Sequence, residues 1–184
     1  ATTSAGTHKS VYAYANDRLT QVSHNTTGAA ADVSYSFGYD AFGKPTTVKV
    51  GSQLLSENVY ETNRHQQLKK VNYGNGQSVE NRYDEHGRLT GRKFGTDTAW
   101  RWEYGYAANG EIAQLKDNIL KRIIRTDYDT ANRPEMTLLQ DSGTGSLIYR
   151  TAVSYDSREH IGSQRERVSG ANYTTSYSYD WDDR

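Results

Sequence analysis

"YDEHGRLTGRKF", residues 83–94, puts a Tyr-Asp pair four residues ahead of Gly-Arg and then opens a short run with the look of a strand. The phrase returns as "YDAFGKPTTVKV" (39–50) and "YDTANRPEMTLL" (128–139). Asp at the first position of a tight turn can accept the turn's own amides. Gly or Asn three residues later is what a positive φ requires. These stretches therefore predict turns at Tyr39, Asp40 and Gly43, at Tyr83, Asp84, Gly87 and Arg88, and at Tyr128, Asp129 and Asn132.

Aligned on the tyrosine, the pattern widens to Tyr14, Tyr39, Tyr60, Tyr83, Tyr106, Tyr128, Tyr155 and Tyr179, spaced 25, 21, 23, 23, 22, 27 and 24 residues apart. A steady period in this range signals an array of small structural units. The turns drift in wording: "YANDR" (14–18) and "YETNR" (60–64) read as one residue shorter, "YAANGE" (106–111) lacks the Asp, and "YDSREH" (155–160) has Glu159 where Gly is expected. Such drift suits structural punctuation better than catalysis.

A second series of turn words lies midway between tyrosines, including "TTGAA" (26–30), "YGNG" (73–76), "FGTD" (94–97) and "SGTG" (142–145). Gly-rich and Asn-Gly pairs at such positions are hairpin loops. The stretches ahead of the tyrosines alternate as strands do: Val33, Tyr35, Phe37 and Tyr39 share one face, and so do Trp100, Trp102, Tyr104 and Tyr106. The chain is thus expected to be all-β, a flexible polar segment over 1–11 followed by about seven consecutive hairpins over 12–184, open at both ends. No helical periodicity competes with this reading.

Composition agrees. Leu, Ile, Val and Phe make up 29 of 184 residues, whereas Tyr contributes 15 and Trp three. Tyr and Trp favour strands and keep one polar end wet while covering apolar area, which fits a thin sheet without a thick core. Lys plus Arg and Asp plus Glu are both 22, so nothing draws the whole chain toward nucleic acid or an anionic membrane. No apolar run reaches the roughly 18 residues of a membrane-spanning helix. There is no cysteine, which removes disulfides and thiolate metal sites.

The phrases quoted above, with "YGNGQSVENRYD" leading into the next turn, resemble the YD repeats of the Rhs family. That family comprises bacterial Rhs and wall-associated polymorphic toxins, the B and C components of insecticidal toxin complexes, and the teneurins. The resemblance covers residues 12 to 180, and the wording of 39–55 is most similar to large surface proteins of Gram-positive bacteria. It implies a curled, spiralling single-layer sheet that forms part of a hollow β-shell in a secreted or cell-surface protein. It also implies two partners, the remainder of the shell and an enclosed C-terminal effector. The plugging core and the variable toxin domain of toxin members are not found in this stretch.

Chemistry-bearing patterns are sparse. His8, His24, His65, His86 and His160 show no metal-ligand spacing, and "DYD" (127–129) and "DWDD" (180–183) each share an Asp with a repeat turn. No nucleophile elbow or phosphate-cradling loop occurs. The expectation is a non-enzymatic chain without cofactor or metal. Trp100, Trp102, Tyr104 and Tyr106 are the candidate residues for binding a glycan or a cell-surface protein, since aromatic faces stack on sugar rings.

Overall fold

The computed structural model describes residues 8–25, 31–180 and 182. It contains β1 (Lys9–Ala15), β2 (Arg18–Asn25), β3 (Val33–Tyr39), β4 (Pro45–Val50), β5 (Gln53–Tyr60), β6 (Leu68–Tyr73), β7 (Ser78–Tyr83) and β8 (Leu89–Phe94). There follow β9 (Trp102–Tyr106), β10 (Ile112–Asp117), β11 (Arg122–Tyr128), β12 (Pro134–Asp141), β13 (Leu147–Tyr155), β14 (Ile161–Val168) and β15 (Ala171–Ser176). No described residue is helical. Strand order in the fifteen-stranded sheet is chain order, and sequence neighbours pair antiparallel. β2 to β15 make the seven expected hairpins, and β1 is the strand that leads into Tyr14. It begins at Lys9, three residues before the expected boundary; residues 1–7 and the "TTGAA" loop lie outside the described residues.

The backbone falls into two compact units, residues up to 82 with 94–97, and residues 83–93 with 98 onward. In the first, Val22 pairs with Tyr35, Tyr35 with Val50, and Phe37 with Val48, so one face is apolar. Gln21, Ser36 and Lys49 form the matching polar row on the other face. In the second, a continuous apolar row runs Tyr104, Leu115, Ile124, Leu139, Tyr149, Val168 from strand to strand. Strand alternation thus sorts the two faces as the period of two demands.

One layer of sheet cannot enclose much. Among the described residues only Asn81, Gly91 and Ile123 are buried. Cohesion must therefore come from the ladder hydrogen bonds and from whatever joins one hairpin to the next.

A bulge recurs where repeat tyrosines end their strands. Register shifts fall between Ala13 and Tyr14, Gly38 and Tyr39, Val59 and Tyr60, Asp127 and Tyr128, and Ser154 and Tyr155. The extra residue sits on the strand leaving the turn, as Thr46 does between Pro45 and Thr47. Bulges re-aim side chains. The tyrosines consequently leave the simple alternation that the sequence suggests for them.

Candidate functional site

Three repeat turns share one hydrogen-bond scheme. At Asp40 the backbone amide donates to the Lys44 carbonyl and the Gly43 amide returns to the Asp40 carbonyl, both 3.0 Å. The Asp40 carboxylate Oδ1 accepts the amides of Phe42 and Lys44 at 2.9 and 2.8 Å. Asp84 does the same for His86 and Arg88, and Asp129 for Ala131 and Arg133. Gly43, Gly87 and Asn132 take φ of 85°, 83° and 63°, the conformation for which Gly and Asn were expected.

The carboxylates do more than cap. Oδ2 of Asp84 accepts from Arg88 Nε at 2.8 Å, and Oδ2 of Asp129 accepts from Arg133 Nε at the same distance. Asp156 follows with the amides of Arg158 and His160.

All three of these acids are held below the usual carboxylate range. For Asp129 the amide of Arg133 dominates, ahead of the opposing effect of burial, with the guanidinium and the Ala131 amide adding to it. For Asp84 burial pushes upward, and is outweighed by the amide and guanidinium of Arg88 and the amide of His86. Asp156 follows Asp84, with burial outweighed by the amides of His160 and Arg158. A folded value below the unfolded one, about 3.9, means that these groups stabilise the fold fully above that value. Their contribution is lost as pH falls through the lowered folded values. Thermal melts should therefore show a flat midpoint above about pH 5 and a decline below about pH 4. A midpoint that rises on acidification would contradict the turn assignment.

Six of the repeat tyrosines reach backward. The hydroxyls of Tyr39, Tyr60, Tyr106, Tyr128, Tyr155 and Tyr179 donate to the carbonyls of Leu19, Pro45, Leu89, Ile112, Pro134 and Ile161, at 2.7–3.0 Å. Each acceptor is the first residue of the strand after the preceding turn, or the second in the case of Leu19, and the amide of Asn81 serves the equivalent Leu68 carbonyl at 2.9 Å. Above the rings lie the basic residues of the preceding turn: Arg18 over Tyr39, Lys44 over Tyr60, Arg88 over Tyr106 and Arg133 over Tyr155, at 5.9, 5.1, 4.5 and 4.1 Å. His160 packs on Tyr179 with ring centroids 4.7 Å apart. The Tyr, Asp, Gly and basic positions of the motif are thus parts of one clasp between consecutive repeats. The sequence shows its components but not its span, because the partners belong to different repeats.

Two shortened turns resolve differently. Asn16 and Asp17 take φ of 49° and 59° in a two-residue hairpin between Ala15 and Arg18. At "YETNR" the turn is longer than expected. Glu61 donates to the Gln67 carbonyl, Asn63 Oδ1 accepts the amides of His65 and Gln66, and Gln66 rather than Asn63 takes the positive φ.

The aromatic candidates are half-buried, and two of them spend their polar groups within the sheet. Trp102 Nε1 donates to Asp117 Oδ2 at 3.2 Å, and Tyr106 is clasped to Leu89 at 2.7 Å. Trp102 and Tyr104 share a face. Trp100 does not belong to their strand: β9 starts at Trp102, and Trp100 lies in the loop, its carbonyl held by Asn118 and its ring 5.1 Å from the Lys93 ammonium. The break arises because β8 and β9 pair only at Gly91–Glu103 and Arg92–Trp102 before the loop diverges. Tyr106 is offset by the bulge at Ala113. Of "DYD", Asp129 caps its turn while Asp127 faces Met136 in the ladder; "DWDD" extends outside the described residues.

Stacked turns also leave open troughs at matching positions. In the first unit one of about 520 Å³ is lined by Asp40, Phe42, Tyr60, Glu61 and Gln66. In the second one of about 340 Å³ is lined by Ala107, Asn109, Tyr128, Asp129 and Asn132. The troughs recur because the repeat does.

No protein-family model matches the chain, and no curated protein matches it in sequence. Solved structures do match in fold. The TcdB2-TccC3 complexes, in the forms carrying TEV and lacking the hypervariable C-terminal region, superpose with TM-scores of 0.63 and 0.64 at 16% identity, over 94% and 95% of this chain. The Photorhabdus luminescens Tc holotoxin pore gives a TM-score of 0.53 at 12% identity over 94% of this chain. The chain spans about a tenth of the length of each, 10% for the first two and 11% for the third. Nothing in these likenesses supports the Gram-positive source expected from the wording of residues 39–55.

Proposed function

We propose that this chain is a strip of wall in a repeat-built shell, part of a larger secreted or surface-delivered protein, where it encloses or carries another segment of that protein. The reading rests on one observation: the recurring side chains of the repeat are consumed by the clasp that ties one hairpin to the one before it. Such residues build extent. The likeness of 94–95% of the chain to a tenth of the toxin-complex chains supports the same reading, and the YD-repeat wording agrees with it. The proposed partners are the rest of the shell and an enclosed effector, and the wall itself performs no catalysis. A glycan- or protein-binding role for Trp100, Trp102, Tyr104 and Tyr106 is less well supported, because Trp102 and Tyr106 spend their polar groups inside the sheet.

A wall must have an inside and an outside, and the absence of cysteine makes this testable. Thr174 and Thr175 are adjacent and exposed, and lie on opposite faces of β15. Cysteine placed at each position in turn, in the full-length protein that carries this chain, should differ in labelling by a bulky maleimide. One face should react and the other should be protected until the protein is denatured. Equal labelling of both positions in the native protein would sink the wall reading.

A further inference from the structure

The polar face of β13 and β14 carries an arrangement that the repeat does not require. Arg150 on β13 stands directly opposite Arg167 on β14, and Arg165 stands opposite Ala152 on the same face. Like charges in direct cross-strand register are destabilising, and folded sheets ordinarily pair them with carboxylates. Here, among the described residues, none of the three guanidinium groups has a hydrogen-bond or ion-pair partner. Three other arginines of this unit are matched by carboxylates: Arg88 by Asp84, Arg133 by Asp129 and Arg122 by Asp141, each at 2.8 Å.

The carboxylate that could relieve the cluster is turned away. Glu166 lies between Arg165 and Arg167 in β14 and so faces the other side of the sheet, where Tyr149 Oη and Gln164 Nε2 donate to it at 2.6 and 3.0 Å. No other acidic residue occurs in β13, β14 or β15. The row continues on the far side of Leu138 with Arg125, whose hydrogen bonds go to the neutral amides of Gln114 and Gln140. Asp127, two residues on from Arg125, shares this face and lies across Met136 and Ala152 from Arg165, and Arg125, Arg150, Arg165 and Arg167 outnumber it there.

We propose that this face docks an acidic polypeptide segment in extended conformation. Arg165 and Arg167 stand two residues apart on one strand, roughly 6.8 Å, and carboxylates at alternate positions of an extended peptide have the same spacing. Guanidinium forks suit carboxylates bidentately. A single-stranded nucleic acid would in addition want aromatic platforms for its bases. Tyr149 and Tyr173 lie on the opposite face, in register with Val168 and Glu166, so the arginine face has none from these strands. The inference depends on these residues alone and stands apart from the wall reading.

The test is fluorescence anisotropy of the intact chain with a labelled Ser-Glu alternating dodecapeptide. A single-stranded oligonucleotide of equal charge and a Ser-Lys dodecapeptide serve as comparisons. The expected result is saturable binding of the acidic peptide that weakens with salt, and little of the basic one. Binding should fall at least tenfold in R150Q/R165Q/R167Q and severalfold in R167Q alone. K49Q/K70Q, which alters the other unit, should leave it unchanged. Because relieving like-charge contact does not weaken the sheet, R167Q should melt no lower than the parent chain. No saturable binding, binding unaltered by both arginine variants, or tighter binding of the oligonucleotide would each overturn the proposal.

Discussion

Tyr106→Ala lowers the stability of the chain by about 2–3 kcal/mol, and Tyr106→Phe by about 1 kcal/mol. The alanine value scales the usual cost of truncating a buried aromatic down to a ring that is half-exposed. It includes loss of the contact with the Arg88 guanidinium, 4.5 Å above the ring centre. The phenylalanine value isolates the hydroxyl, whose removal leaves the Leu89 carbonyl without its donor at 2.7 Å. Chemical denaturation of both variants beside the parent chain measures the two numbers. A phenylalanine variant as stable as the parent would show that the clasp is held by the ring alone. An alanine variant of parental stability would remove the clasp from any structural account.

Gly43→Val costs about 1–3 kcal/mol through its positive φ. The φ of 85° is strained for any L side chain, and more for a β-branched one. In addition a Cβ built here would fall on the guanidinium of Arg18, which is packed between this glycine and the ring of Tyr39. Gly43 therefore serves both the turn and the approach of the preceding repeat. The opposite change is available at Glu159, where a non-glycine residue already holds φ of 70°. Glu159→Gly should stabilise by about 0.5–1 kcal/mol, the relief of strain exceeding the added freedom of the unfolded chain. Thermal melts decide both, and a Gly43→Val melt indistinguishable from the parent would contradict the packing as well as the φ.

Repeat, turn and strand were legible because each depends on neighbours in the chain. Asp40, Gly43 and Lys44 fit one turn, and Val33, Tyr35 and Phe37 fit one pleat, without reference to anything distant. The bulge ahead of each tyrosine was not legible: it is set by how Thr46 fails to pair across from Gly38 and Tyr39, a matter of register between strands. The clasp was missed for the same reason, since Tyr155 and the Pro134 carbonyl are 21 residues apart. For the candidate aromatic residues, alternation placed Trp102 and Tyr104 correctly on one face. It overextended to Trp100, where the short β8–β9 ladder had already ended. The "YETNR" turn misled because it read as one residue shorter, whereas Asn63 supplies a capping oxygen to a longer turn that closes at Gln67. The arginine face was hidden as well: Arg150 and Arg167 meet only once β13 and β14 are paired.

The direction of the clasp carries a consequence for biosynthesis. Every clasp tyrosine donates its hydroxyl to a carbonyl that precedes it in the chain, from Tyr39 onto Leu19 to Tyr179 onto Ile161. A ribosome therefore delivers each acceptor before its donor. As a hairpin emerges, its tyrosine can fasten onto a turn already made, and no unit waits for a distant residue yet to be translated. Contacts confined to adjacent units also let repeat arrays grow by propagation from a formed end. The array is written to be laid down in the order in which it is synthesised, each course of the structure locking the one beneath it.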